Sequence, residues 1–348
     1  MCALVLAGCG SSTSTTSTSG SSSAPTGTQG TSSTATGGPP KSQLSEAEKP
    51  PPPAVNLLSA SLKPRVSQFP APAGRSLAQL GKLLSATATL GAANGVFTPG
   101  MQRFAFGVTD KQSRYIYAPT AVYLATSPKS PAQGPFLAPN DLMGVDPQYR
   151  SEQNSGPGGI KAIYHTTLPL PRSGVFDVLT ISRDGHKLIG AAGEVAVADS
   201  SPIPTVGQRP PDIQTDTLAT VHGDIGLLTT RVPPESMHSV SFNQVLGKRP
   251  VALLFSTPAL CISRVCGPVT DILVELQHEY GKRITFIHEE VYVNNDPAKG
   301  LRPQLHAFHL QTEPWLFVVD SKGVITARLQ GAFGIDEARQ ALESGLQG

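Results

Sequence analysis

The stretch that most constrains the fold is residues 250–269, which read PVALLFSTPALCISRVCGPV. Its apolar run, Val251–Phe255, is short and continuous, as in a strand that is buried on both faces. In residues 271–280 the apolar positions recur at helical spacing, which predicts a helix. Cys261 and Cys266 are therefore expected in the turn between a central strand and a helix.

The position and spacing of the two cysteines favour redox chemistry. A helix start stabilises a thiolate, the reactive form of cysteine, because its first N–H groups are free and its dipole is positive there. Residues five apart in an ideal helix are separated by roughly 8.7 Å between Cα atoms, whereas a disulfide tolerates at most about 7 Å. Cys261 is therefore expected either in the loop or in a first turn that unwinds on oxidation. Pro268 would make such unwinding easier.

A second segment completes a resemblance to a known superfamily. Residues 312–324 read TEPWLFVVDSKGV, a proline before an apolar strand that ends in an Asp-x-x-Gly hairpin. With the cysteine turn, this segment resembles the thioredoxin-like superfamily, and residues 203–347 resemble the thioredoxin-domain lipoproteins of actinobacteria. The resemblance implies a cis peptide bond before Pro314 and places this proline opposite the cysteines. The candidate catalytic residues are therefore Cys261, Cys266 and Pro314.

The C-x4-C-G spacing is also similar to that of the bacterioferritin-comigratory peroxiredoxins, in which the first cysteine attacks peroxide and the second resolves it. The chain departs from both family patterns. Val269 stands where thioredoxins have the second cysteine of C-G-P-C, and Thr257 lies four residues before Cys261 rather than three. No arginine is expected beside the strand after Pro314. Thiol–disulfide exchange is therefore the favoured chemistry, and a thiol peroxidase is the alternative.

The sequence leaves the roles of the two cysteines open. Cys261 is the favoured nucleophile because it directly follows the strand and the Thr-Pro step. Cys266 would gain the stabilisation of the helix start if Pro268 were the first helical residue. Arg264, between them, would either stabilise a thiolate or be solvated. A purely structural disulfide and a non-enzymatic binding or sensor lipoprotein are the remaining interpretations.

The first residues match a lipoprotein signal. Leu6-Ala7-Gly8-Cys9 fits the bacterial lipobox, and Cys9 is therefore the predicted site of lipidation. Residues 10–60 are rich in Ser, Thr, Gly and Pro, and such composition predicts a disordered tether. The expected location is the extracytoplasmic face of the cell membrane, with protein thiols or disulfides as partners.

The middle of the chain predicts an all-β domain after a short helix near residues 75–85. Short strands are expected at residues 104–108, 115–117, 121–124, 163–168, 175–181, 188–189 and 194–197. Strands at this spacing without intervening helices indicate an immunoglobulin-like β-sandwich. A proline-rich joint at residues 200–211 follows.

The last part of the chain is expected to hold elements in the order β-α-β-α-β-β-α, as a thioredoxin-like α/β domain requires. In this interpretation residues 291–293 belong to the strand that begins near Ile284. The fold class is therefore multidomain. Its predicted parts are a partial signal peptide at 1–9, a disordered linker at 10–60, an immunoglobulin-like sandwich at 88–200 and a thioredoxin-like domain at 203–348.

Charge and composition limit the other function classes. The formal net charge is +2, which gives no sign of nucleic-acid binding, and no later apolar run reaches transmembrane length. No cofactor or metal is expected. The remaining groups that resemble metal ligands are interpreted as hydrogen-bonded or surface residues, and they are His288 with Glu289 and Glu290, and His306 with His309.

Overall fold

The structure, a computed structural model, describes residues 52–154 and 159–348. Cys9, the lipobox and the predicted tether up to residue 51 lie outside the described residues. The end of the predicted tether range already holds regular structure. Strand β1 (Val55–Asn56) pairs in parallel with β5 (Ile116–Tyr117), and Leu58–Ser61 forms helix α1.

The following part of the chain is built of two sheets. Its strands are β2 (Ala86–Thr87), β3 (Thr89–Ala92), β4 (Gly100–Thr109), β6 (Thr120–Ala125), β7 (Gln133–Ala138), β8 (Asn140–Leu142), β9 (Ala162–Leu170), β10 (Gly174–Asp184) and β11 (Lys187–Val197). One sheet has the order β2-β11-β10-β6-β7 and the other β3-β4-β9-β8. The predicted sheet-rich architecture is confirmed.

The two sheets share one apolar core. Alternate residues of β4 and β9 point inward, and the ring of Phe106 stacks on Phe104 at 5.1 Å and on Tyr164 at 5.2 Å between centroids. Val122 and Val178 of the other sheet belong to the same core. Helix α2 (Leu77–Gly81) packs against the outer face of the five-stranded sheet. The period of two along each strand thus produces a packed sandwich.

The C-terminal part holds a third large sheet. Its strands and helices are α3 (Phe242–Val245), β12 (Val251–Phe255), α4 (Cys266–Tyr280), β13 (Thr285–Glu289), α5 (Pro303–Ala307), β14 (Trp315–Val319), β15 (Ile325–Gln330) and α6 (Ile335–Leu346). The strand order is β13-β12-β14-β15. β12 is parallel to β13, and β14 is antiparallel to both of its neighbours. These elements follow one another in the predicted order.

Both faces of this sheet are covered, which explains why its central strands are continuously apolar. Leu254 and Leu316 face one side, where they pack with Leu273 of α4 and Leu342 of α6. Phe255 and its neighbours face the other side and pack around α5. β12 and β14, the strands next to the cysteine turn and the proline segment, therefore form a rigid base for the site.

The expected strand at residues 291–293 is absent. β13 ends at Glu289 because its partner β12 ends opposite it, at Phe255. The buried Arg302 side chain donates to the Tyr292 carbonyl at 2.9 Å and to the Glu289 carboxylate at 3.1 Å. These bonds hold the chain in a turn after the strand.

The sandwich and the C-terminal sheet meet across a polar and apolar interface. Asp141 accepts hydrogen bonds from the backbone N–H groups of Asp336 at 3.1 Å and Glu337 at 2.7 Å, at the start of α6. Arg103 of β4 donates to both carboxylate oxygens of Glu337, each at 2.7 Å. Ile163 of β9 belongs to the same apolar cluster as α4 and α6. The outer face of the β3–β4 sheet is therefore held in place beside the cysteine turn.

Candidate functional site

The two thiols lie side by side where α4 begins. Cys266 is the first residue of α4, and Cys261 lies in the preceding loop, the first of the two arrangements that the spacing allows. Both cysteines are free and buried, Cys261 being 8% exposed and Cys266 0%. Their sulfur atoms and a carboxylate oxygen of Glu313 all lie within 4.8 Å of one another. The three groups therefore interact directly.

The Cys261 sulfur receives hydrogen bonds from several donors. The Cys266 thiol is the largest cause that lowers the pKa of Cys261, which falls to about 5 despite burial. The hydroxyl oxygen of Ser263 lies 3.1 Å away, and the backbone N–H groups of Val265 and Cys266 add to the effect. These amides belong to the start of α4, where free N–H groups favour a negative charge. These groups therefore favour the thiolate form of Cys261.

Cys266 has the opposite character. Burial raises the pKa of its thiol well above the ordinary value, and the hydrogen bond to Cys261 and the negative charge there raise it further. The pair thus consists of one thiolate and one thiol that donates to it. This asymmetry favours Cys261 over Cys266 as the nucleophile.

The proline segment lies beside the cysteines, with Glu313 as the point of approach. The peptide bond between Glu313 and Pro314 is cis, as the resemblance implies. Burial raises the pKa of the Glu313 carboxyl, and the neighbouring Cys261 thiolate raises it further. Trp315, the next residue, is buried in the sheet core on the side away from α4. The sequence did not single out Glu313, because its closeness to the thiols arises only in the fold.

Two arginines differ in their relation to the site. Arg264 is exposed, which favours the solvated alternative. The expectation that no arginine lies beside the strand after Pro314 is wrong, because Arg328 of β15 pairs with Phe317 of β14. Its guanidinium lies 5.6 Å from the Trp315 ring centroid, on the sheet face opposite α4. The hairpin places this arginine across from the strand, on the face away from the cysteines.

A buried polar network lies beneath the start of α4. The Glu235 carboxylate contacts Nε2 of His238 and Nδ1 of His288, each at 2.6 Å. The Ser256 hydroxyl lies 2.9 Å from Nε2 of His288 and 2.8 Å from the Thr270 hydroxyl. The Thr270 hydroxyl in turn donates to the carbonyl of Cys266 at 2.8 Å. The network thus connects β13 with the first turn of the cysteine helix.

The network holds charge inside the protein. Nδ1 of His288 faces the Glu235 carboxylate, and Nε2 faces the hydroxyl and the carbonyl of Ser256. Because the Thr270 hydroxyl donates to the Cys266 carbonyl, the Ser256 hydroxyl donates to Thr270, and both ring nitrogens of His288 need a proton. Burial alone would lower the pKa of His288, but Glu235 raises it above the ordinary value. Burial alone would raise the pKa of Glu235, but His288 and His238 lower it. The result is a buried ion pair.

Sequence reasoning missed most of this network. His288 was expected to be hydrogen-bonded, as it is, but Glu235 and His238 were not identified. Their only sequence signal is the three-residue spacing of an acid and a histidine in an irregular segment. His306 and His309 are exposed, as expected for surface residues.

A second buried ion pair attaches the chain after β8 to α4. Asp271, inside α4, accepts from Nε of Arg231 at 2.8 Å and from the backbone N–H of Ser151 at 2.9 Å. The Asn154 amide donates to the same carboxylate at 3.0 Å, and Arg231 also donates to the Tyr149 carbonyl at 2.6 Å. These contacts fix residues 149–154, in the segment between β8 and β9, against α4.

The described residues contain three groups of potential metal ligands, and within each group the ligand atoms lie within 4.8 Å of one another. They are Glu235 with His238 and His288, Cys261 with Cys266 and Glu313, and Asp141 with His165 and Glu337. In the first and third groups, hydrogen bonds and ion pairs already occupy the facing atoms. The thiol group has two soft sulfur ligands and one carboxylate oxygen, a donor set that suits zinc better than magnesium or calcium.

Comparisons with known proteins give little further information. No family model matches the chain, and no curated protein matches it. Among solved structures, the thiol:disulfide interchange protein DsbE from Chlorobium tepidum is similar, with a TM-score of 0.29 and 14% sequence identity. The likeness covers 41% of this chain and 99% of that one. A score of this size does not establish a shared fold.

Within the described residues, none of the helices combines the length and the apolar character that a membrane span needs.

Proposed function

We propose that this chain is a thiol–disulfide oxidoreductase that acts through Cys261 and Cys266. The observation that carries the proposal is the closeness of two free thiols at a helix start, whose sulfur atoms lie within 4.8 Å of each other and of a Glu313 carboxylate oxygen. In such a pair the thiolate can attack a partner disulfide, and the neighbouring thiol can then resolve the mixed disulfide.

The reaction has two steps, and each exchanges one sulfur–sulfur bond. The Cys261 thiolate attacks a partner disulfide; a bond forms between Cys261 and one partner sulfur, and the other partner sulfur leaves as a thiolate that takes up a proton. Cys266 then loses its proton and attacks the Cys261 sulfur, which releases the second partner thiol. The chain ends with a Cys261–Cys266 disulfide, and two electrons have reduced the partner.

Glu313 is the group placed to accept the proton of Cys266, since its carboxylate oxygen lies within 4.8 Å of that sulfur. While Cys261 is a thiolate, its charge helps to raise the pKa of Glu313 and that of Cys266. The first step removes this charge, because Cys261 becomes part of a mixed disulfide. Both groups then ionise more readily, and the second step can proceed.

We assign the C-terminal part to the thioredoxin-like fold and the preceding part to an immunoglobulin-like sandwich. The strand order β13-β12-β14-β15, the covering of one face by α4 and α6, and the cis bond before Pro314 support the first assignment. Two largely antiparallel sheets around one core support the second. As fold does not determine activity, the proposed chemistry depends on the thiols.

We also propose that Cys9 anchors the chain at the extracytoplasmic face of the membrane, where protein thiols and disulfides are its partners. The lipobox sequence Leu6-Ala7-Gly8-Cys9 and the polar residues after it support this location. Expressed in a bacterium that lipidates proteins, the chain is expected to take up labelled fatty acid and to sediment with membranes, and Cys9→Ala is expected to release it. Sedimentation of the Cys9→Ala chain with membranes would contradict the anchor.

The activity is tested with the reduced full chain and a disulfide-bonded peptide. We expect stoichiometric reduction of the peptide, with a first step whose rate increases with pH as Cys261 ionises near pH 5. The reduction potential of the Cys261/Cys266 couple should lie above about −300 mV, the range of exchanging disulfides. A lower potential without exchange would identify a structural bridge. Faster consumption of peroxide than by a free thiol would identify a peroxidase, and no reaction at all would leave a binding scaffold.

A further inference from the structure

A cavity of about 600 Å³ lies between the outer face of the β3–β4 sheet and the cysteine turn. A neighbouring cavity of about 450 Å³ reaches Cys261 itself. Tyr115, Ile160 and Ser263 line both cavities, so the two adjoin and form one cleft that ends at the thiolate. Volumes of this size are typical of binding sites.

Glycines keep the larger cavity open. Gly91 of β3 and Gly107 of β4 are cross-strand partners that line it, while the alternate residues Leu90 and Val108 pack into the sandwich core. A Cβ atom on Gly91 would come no closer than 3.9 Å to another atom, and one on Gly107 no closer than 3.6 Å. Neither glycine has a positive φ. Folding therefore does not require glycine at either position.

Glycine inside a strand weakens the strand and often marks a place where a ligand or another backbone approaches closely. On the same sheet face, Ala105 and Ile163 fill the space toward α4 with side chains. At the Gly91–Gly107 pair the sheet backbone is left uncovered beside the cleft. The strands thus expose a surface that an extended chain can reach.

We propose that this cleft binds an extended, uncharged polypeptide segment on one side of the partner's cysteine, so that the sandwich selects protein substrates over small disulfides. The inference rests on the proposed function. Apart from the Cys261 thiolate, Glu313 and Arg264 are the charged residues that line the two cavities in the part of the chain that the structure describes. Ile262, next to Cys261, is 96% exposed and offers an apolar contact to a polypeptide. A small disulfide is too short to contact both Ile262 and the Gly91–Gly107 pair.

The test compares two substrates with the same leaving group. One is a peptide of about twelve uncharged residues whose central cysteine carries a 2-pyridyl disulfide, and the other is 2,2′-dithiodipyridine. For the double variant Gly91→Ala/Gly107→Ala, we expect the ratio of the peptide rate constant to the small-disulfide rate constant to fall by roughly tenfold. The new methyl groups cover the strand backbone at the Gly91–Gly107 pair, and strand stability should not decrease, since alanine suits a strand better than glycine.

Gly144→Ala is the matched control, because Gly144 is exposed, lies outside both cavities and leaves open space within 4 Å of the position that a Cβ atom would take. Its ratio should equal that of the wild-type chain. If the double variant still reduces both substrates with an unchanged ratio of rate constants, the proposal that the cleft binds a polypeptide is wrong and the proposed oxidoreductase activity is unaffected. Failure of the wild-type chain to react with either substrate would instead reject the proposed function.

Discussion

Replacing Cys261 by serine is expected to abolish reduction of a peptide disulfide, with a loss of at least about a thousandfold, because a serine hydroxyl is not ionised at neutral pH. Replacing Cys266 by serine should leave the first step intact and remove the second. The mixed disulfide between Cys261 and the partner should then accumulate. Non-reducing electrophoresis and mass spectrometry of the trapped complex measure both outcomes.

The double variant Cys261→Ser/Cys266→Ser gives the background for this experiment. If the Cys261→Ser chain traps the mixed disulfide and the Cys266→Ser chain does not, Cys266 is the nucleophile and Cys261 the resolving thiol. The structure argues against that reversal, because the Cys266 thiol is fully buried and its pKa is raised by that burial. An attacking group also has to reach the partner, and Cys261 lines a cavity.

Replacing Glu235 by glutamine is expected to lower the free energy of unfolding by about 3–5 kcal/mol, the usual cost of breaking a buried ion pair. Glutamine leaves the positive ring of His288 buried without its carboxylate, which lies 2.6 Å from Nδ1 in the wild-type chain. Urea denaturation measures the loss. Glu194→Gln, at an exposed position in β11, is the control and should change the stability by less than about 0.5 kcal/mol.

The effect of Glu235→Gln should depend on pH. The folded state lowers the pKa of Glu235. The contribution of Glu235 to the free energy of unfolding is therefore present above its unfolded pKa of 4.5 and is lost as the pH falls. The folded state raises the pKa of His288. The contribution of His288 to the free energy of unfolding is therefore complete below pH 6.5 and is lost as the pH rises through the raised pKa of the folded state. Glu290 and the ring of His238 also face His288.

The difference in stability between the two chains should therefore be greatest between about pH 4.5 and 6.5 and smaller on either side. A difference that does not change with pH would show that the loss comes from packing rather than from charge. The activity of the Glu235→Gln chain is measured in parallel, because Thr270 and Ser256 connect this pair to the Cys266 carbonyl.

Local patterns predicted much of the fold. The apolar run Val251–Phe255 forms a strand buried on both faces, and the helical spacing after the cysteines corresponds to α4. Alternation along β4 and β9 predicted strands with one face in a core. These features depend on neighbours along the chain, and the sequence displays them directly. The strand expected at residues 291–293 failed because a strand also needs a partner, and β12 ends at Phe255.

The sequence by itself determined that two thiols lie between a buried strand and a helix and that Pro314 precedes another strand. Only the tertiary structure decided which thiol is ionised, because that depends on hydrogen bonds and burial around each sulfur. It also decided that Glu313 lies beside the thiols and that Glu235 joins two histidines beneath them. Such contacts join residues far apart in the chain, and their energies depend on distance and exclusion of water, neither of which has a local pattern.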